Sequence, residues 1–128
     1  MKKEYSSQKK TGAFYTPDFI VDFMVERVFY YLVESKKLTS DTFPKFKKSL
    51  LNLKFCDPSI GTGNFLIGLL KKIWKLMKSY ESVNIDIKKD FLKEFAEKNI
   101  YGIELDELAL IECKNKIKNR FPFLKIKF

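Results

Sequence analysis

The chain has 128 residues, 45% hydrophobic and 32% charged, and a formal charge of +9, which makes it one domain with a modest core and favours a polyanionic partner. It has no histidine and only two cysteines, Cys56 and Cys113, which excludes histidine acid–base chemistry and a zinc centre. No apolar run reaches the length of a membrane span, Lys2 and Lys3 lead into polar residues instead of a signal core, and the cysteines read as reduced core thiols, so a cytoplasmic protein without a membrane partner is expected.

Residues 1–13 are polar and are expected to be flexible, with the folded part spanning 14–128. Thr16-Pro17 reads as an N-cap followed by proline in a first helical turn. Ile20, Phe23, Met24, Val28, Tyr31 and Leu32 recur at helical spacing to about Val33. Ser35–Ser49, with Pro44 and Lys45, Lys47 and Lys48, reads as a lysine-rich connection. Leu51–Cys56 is apolar at nearly consecutive positions, as in a strand covered on both faces. A helix follows over Phe65–Met77 and another over Ile87–Glu97. "IYGIE", Ile100–Glu104, is a second strand, and Asp106 caps a helix with Ala109, Cys113 and Ile117 on its inner stripe. In "FLKIKF" Leu124, Ile126 and Phe128 alternate with lysines, a half-buried third strand. The pattern is α/β with a parallel sheet.

"FCDPSIGTGNFLIGLL", Phe55–Leu70, carries the chemistry. A strand, a glycine turn and a helix start bring backbone close to a ligand, at the carboxyl ends of the strands. No lysine follows Gly63, so the phosphate loop GxxxxGK[ST] is absent, and the third glycine of the pyrophosphate fingerprint is missing too. Asp57 ends the first strand and Glu104 the second. A carboxylate in front of the turn repels phosphate and suits an ammonium, while an acid after the second strand suits a ribose diol. S-adenosylmethionine, with ribose, ammonium and sulfonium but no phosphate, fits both acids.

At these residues a family resemblance emerges. "DPSIGTGNFL" resembles the cofactor motif of N6-adenine DNA methyltransferases, "IYGIELDELALIECKNKI" their second motif, and "TGAFYTPDFIVDFMV" the G-x-F-Y/F-T-P segment that precedes both in gamma-ordered members. Those members are modification subunits of type I restriction systems and type IIG enzymes. The three segments occur in the family's order from Thr11 onward. The resemblance implies a partial Rossmann-like methyltransferase fold, three parallel strands in the order 3-2-1 with flanking helices. It implies S-adenosylmethionine as cofactor and DNA as partner of the complete enzyme. Thr16, with backbone near Phe14 and Tyr15, would hold the methionine carboxylate. Asp57 and the backbone of Ser59, Gly61 and Gly63 would face the methionine part, Glu104 would take the ribose hydroxyls, and Leu105 would pack on the adenine. Plain structural readings stand beside these: a helix cap at Thr16, core contacts at Phe14 and Tyr15, a turn starter at Asp57, a solvated loop acid at Glu104.

The chain departs from the family's pattern, above all at its catalytic motif. The prolines at 17, 44, 58 and 122 include no adjacent pair, so the catalytic Asn-Pro-Pro-Tyr/Phe segment is absent and no catalytic residue is assigned. The expectation is the cofactor-binding half of a restriction-modification methylase, inactive alone and completed by a second polypeptide or by further chain. A methyltransferase acting on RNA, protein or a small molecule, and a non-catalytic cofactor-binding module, are the other readings.

Overall fold

The computed structural model describes residues 16–125. Five helices and two strands alternate among them: α1 (Asp18–Glu34), α2 (Phe43–Leu51), β1 (Phe55–Asp57), α3 (Asn64–Lys78), α4 (Ile85–Lys98), β2 (Ile100–Gly102) and α5 (Glu107–Arg120). Helix α3 is the hub, packing against α1, α4 and α5. Leu70, Ile73 and Met77 on α3 close the core with Leu92 and Phe95 of α4 and Ile117 of α5.

Helix α1 differs from expectation at its start and in its buried face. Pro17, not Thr16, holds the N-cap position, and no side chain caps the helix. The Ile20 and Val21 N–H groups instead donate to the Pro17 carbonyl, both at 3.1 Å. The buried residues are Val21, Val25, Phe29 and Leu32, while Phe23, Met24, Val28 and Tyr31 of the expected stripe are exposed. Both faces are apolar, so periodicity alone does not choose between them. The choice is made by α3, where Gly68 lacks a Cβ that would stand 2.8 Å from Val21 Cγ1. Lys72 Nζ of α3 pairs with Glu26 at 2.8 Å beside that contact.

The lysine-rich connection contains a helix. Thr42 Oγ1 accepts from Lys45 N at 3.3 Å, and Pro44 lies in the first turn of α2, where its missing N–H costs nothing. Phe43, Phe46 and Leu50 face inward, Lys45 and Lys48 are exposed, and the half-buried Lys47 sets its Nζ 5.6 Å from the Phe91 ring centroid. This helix takes Leu51, so the first strand starts at Phe55, later than expected. Asn99 explains the short strand. Its buried Nδ2 donates to the carbonyls of Leu51 and Leu53, both at 2.8 Å, using acceptors a longer ladder would need.

Strands β1 and β2 pair in parallel, with Phe55 opposite Ile100, Cys56 opposite Tyr101 and Asp57 opposite Gly102. Ile103 N donates to Asp57 O and Ile60 N to Ile103 O, both at 3.0 Å, carrying the pairing on to the glycine turn. The second strand ends at Gly102, short of Glu104. No third strand forms among the described residues. Leu124 and Lys125 are outside any strand, and the rest of the expected one, 126–128, lies outside the described residues, so the order 3-2-1 reduces to the β1–β2 neighbours. No described helix is long and apolar enough to cross a membrane.

Candidate functional site: the glycine turn and the strand ends

The ladder determines where the two carboxylates stand. Ile103 and Ile60 bond across the strand ends, so Asp57 and Glu104 emerge on the same carboxyl-terminal side of adjacent parallel strands. Gly102 makes this close approach feasible, because a Cβ there would run into Ile60 Cδ1.

The two glycines of the turn, both left-handed, do different work. Gly61 has φ +59, and a Cβ there would meet nothing within 4 Å. Its backbone faces open space into which a ligand can come. Gly63 has φ +91 and is buried, and a Cβ there would collide with the Cys113 thiol of α5. Gly63 thus seats the turn on α5, while Gly61 leaves its outer side open.

Asp57 is aimed into this region. Its Oδ1 accepts from Ser59 N at 3.0 Å, which stiffens the turn. Its Oδ2 is buried with no hydrogen-bond partner among the described residues. A buried carboxylate oxygen is costly without a donor, so this one wants a donor that the described chain does not supply. The same carboxylate influences Cys113. That thiol is raised to about 11, mainly by burial, with Lys116 lowering it, the Asp57 charge raising it and Lys114 lowering it in turn. Cys113 is therefore a neutral packing group at ordinary pH, whereas Cys56 is exposed.

The other expected residues lie as follows. Ser59 is exposed, with its N–H turned back on Asp57. Glu104 is half-buried and its Oε2 accepts from Leu105 N at 3.2 Å. Leu105 is 93% exposed, an apolar side chain standing in water beside the strand ends. Asp106 Oδ1 accepts from Leu108 N and Ala109 N at 2.9 and 3.3 Å, which makes it the cap of α5. Thr16 is half-buried and its carbonyl accepts from Asn64 Nδ2 at 3.2 Å, bringing the lead into α1 to the first residue of α3. Phe14 and Tyr15 lie outside the described residues.

Sequence reasoning missed Asn64 and Lys116, which meet at the base of the turn. Asn64 sits inside the glycine motif and could have been questioned there, but nothing in the sequence marks Lys116. Also unforeseen is an apolar groove of about 810 Å³ lined by Met24, Val28, Phe55, Cys56 and Phe65 and reaching Asp57. It runs beside β1. Phe55 and Asp57 direct their backbone bonds to β2, so in a parallel ladder the Cys56 N–H and C=O point to the opposite edge, where no strand pairs among the described residues.

Comparison with known proteins agrees with this geometry. The profile of the MmeI DNA-methyltransferase domain matches residues 33–114, which include β1, the glycine turn and β2. The chain is 30% identical over 113 residues to the type II methyltransferase M.VspI of Vibrio sp. (strain 343), covering 88% of this chain and 18% of that protein. It is 27% identical over 142 aligned positions to the putative type II restriction enzyme and methyltransferase RM.MjaORFECS2P of Methanocaldococcus jannaschii, covering 86% of this chain and 12% of that protein. The chain thus spans less than a fifth of the length of either relative. No solved structure matches it. With strand, turn and second strand all inside the matched segment, the chain belongs to the MmeI DNA-methyltransferase domain family.

Proposed function

We propose that this chain is the S-adenosylmethionine-binding part of a restriction-modification enzyme that methylates the N6 amino group of adenine in DNA. The observation that carries the reading is Asp57 Oδ2, a buried carboxylate oxygen with no donor among the described residues, at the end of a parallel strand and in front of the glycine turn. An ammonium satisfies that oxygen with a charge-assisted hydrogen bond; a phosphate would be repelled. The residues present fit this cofactor. Asp57 would take the ammonium, the Gly61 side of the turn would take the methionine backbone, Glu104 the ribose hydroxyls, Leu105 the face of the adenine, and Thr16 the carboxylate. When bound, the cofactor supplies an activated methyl group. The chain's part is to orient it.

Adenine as the target base rests on the resemblance of the three ordered motifs. The sequence holds no Asn-Pro-Pro-Tyr/Phe segment, so no grip on a flipped base is assigned to these 128 residues. The same feature favours a second reading, a cofactor-binding subunit without catalysis of its own. DNA is the proposed partner of the complete enzyme, and a charge of +9 gives the chain salt-sensitive attraction to it.

Calorimetry with S-adenosylmethionine and S-adenosylhomocysteine tests the cofactor assignment. Losing a buried charge-assisted hydrogen bond costs on the order of 1.5–3 kcal/mol, so Asp57→Ala and Glu104→Ala are each expected to weaken binding by roughly ten-fold or more. Equal affinity in the wild type and both variants removes the assignment. Incubation with tritiated cofactor and adenine-containing duplex tests the rest. Label is expected in DNA only when a polypeptide carrying the missing half is added, and label from the chain alone overturns the reading of it as a binding part.

A further inference from the structure

Three segments distant in sequence meet at the base of the glycine turn. Asn64 Nδ2 donates to the Thr16 carbonyl at 3.2 Å, across 48 residues. Asn64 Oδ1 accepts from Lys116 Nζ at 3.5 Å, across 52 residues. The same Nζ donates to Thr62 Oγ1 at 3.0 Å and lies 3.6 Å from Glu112 Oε1 on its own helix. The amide orientation follows from the partners. A lysine ammonium only donates and a peptide carbonyl only accepts, so one of the two amide orientations satisfies both neighbours and the other satisfies neither.

We propose that Asn64 and Lys116 form a clamp that sets where Thr16 stands relative to the glycine turn, with Asn64 as the positioning residue and Lys116 holding its amide in the donating orientation. Asn64 is well placed for this. It is the first residue of α3, directly after Gly63, whose φ of +91 and contact with Cys113 fix the backbone from which the side chain departs. The clamp forms part of the wall of a polar cleft of about 490 Å³ that also includes Asp18, Asp22, Lys71 and Arg120. Water can therefore reach it, and its value lies in geometry more than in gross stability. The consequence for cofactor affinity rests on the binding role proposed for Thr16; the clamp does not.

A control is built into the fold. Glu26 and Lys72 also tie α1 to α3, at 2.8 Å, away from the turn. If Asn64 merely joined two helices, breaking either tie would have the same effect.

Amide exchange by NMR on the full chain reads the clamp without any cofactor, at Ile20 and Val21, whose N–H groups bond to Pro17 in the turn just after Thr16. Asn64→Asp keeps an acceptor for Lys116 but has no donor for the Thr16 carbonyl, so both amides are expected to exchange about five-fold faster, the equivalent of one lost hydrogen bond. Lys116→Met is expected to do less, because the amide can still donate, and Lys72→Met to leave the ratio of these two amides to the rest of α1 unchanged. Unchanged exchange in Asn64→Asp overturns the clamp, and so does an equal response to Lys72→Met. Calorimetry with S-adenosylhomocysteine then reads the consequence. Affinity reduced by Asn64→Asp but not by Lys72→Met supports positioning, whereas faster exchange with unchanged affinity overturns it. A wild type that binds nothing defeats the cofactor reading alone, and the exchange result still decides the clamp.

Discussion

Single atoms decide what each residue of the turn can tolerate. Gly61 and Gly63 read alike in the sequence, but only Gly63 faces a neighbour. Alanine at Gly61 meets just the left-handed backbone penalty, about 1–2 kcal/mol. Alanine at Gly63 meets the same penalty and also the Cys113 thiol, so an overpacking cost of about 1–3 kcal/mol is added. Denaturant unfolding is expected to rank Gly63→Ala below Gly61→Ala. Adding Cys113→Ala to Gly63→Ala should recover the collision part and leave the backbone part, and no recovery would show that the thiol is not what Gly63 avoids. Asp57 follows the opposite logic. Its Oδ2 has nothing to bond among the described residues, a stability cost retained at the place where a cationic ligand would repay it.

At the scale of elements, the junction between α2 and β1 shows a side chain overriding a propensity. Leu51–Cys56 is apolar enough for a strand, yet Asn99 takes the Leu51 and Leu53 carbonyls, and only Phe55 and Cys56 of the segment pair. Asn99→Ala leaves two carbonyls without their donor and is expected to cost about 2 kcal/mol. Asn99→Asp cannot donate either and sets a negative charge against the carbonyls, so it should cost more, although its shape is closer to the original. Urea unfolding of the two variants checks the order, and an aspartate variant as stable as the wild type would mean that donation is not what Asn99 contributes. Helix α2 teaches a related point. Pro44 looks like a breaker, but in a first turn it starts a helix, and Phe43, Phe46 and Leu50 are spaced along that helix's buried face.

For the whole molecule, Cys113 couples the turn, α5 and the core, and it makes stability depend on alkaline pH. The buried thiol is raised from 9.0 to about 11 in the fold. Below pH 9 both folded and unfolded chains keep the proton, and its contribution is fully present. Between about 9 and 11 the unfolded chain loses the proton first, so stability falls as pH rises through that window. The measurement is a difference between two proteins that share every other group. The stability advantage of the wild type over Cys113→Ala is expected to be constant below pH 9 and to shrink toward pH 11, and a constant difference throughout would contradict the burial of this thiol. On the same scale, Phe19, Phe23 and Tyr30 of α1 and Leu105 and Leu108 near the strand ends are exposed, and one edge of β1 has no strand paired to it among the described residues. Such a surface fits a chain that corresponds to less than a fifth of its relatives.

Much of the local chemistry was determined by the sequence itself. Asp57, the two turn glycines, Glu104 and the cap at Asp106 stand in an order that short-range rules can read, because turns and caps are formed by residues a few positions apart. The parallel relation of the two strands was legible too, since a helical crossover leaves no other pairing sense in practice. Four things only the tertiary structure decided. It chose which of two apolar faces α1 buries, because that depends on Gly68 of another helix. It ended β1's approach with Asn99, a residue 46 positions from the nearer carbonyl it binds. It brought Lys116 and Asn64 to Thr16, and left Asp57 Oδ2 buried with no donor among the described residues. Each of these rests on contact between residues far apart in the chain, and neither periodicity nor a motif encodes which distant partner will arrive.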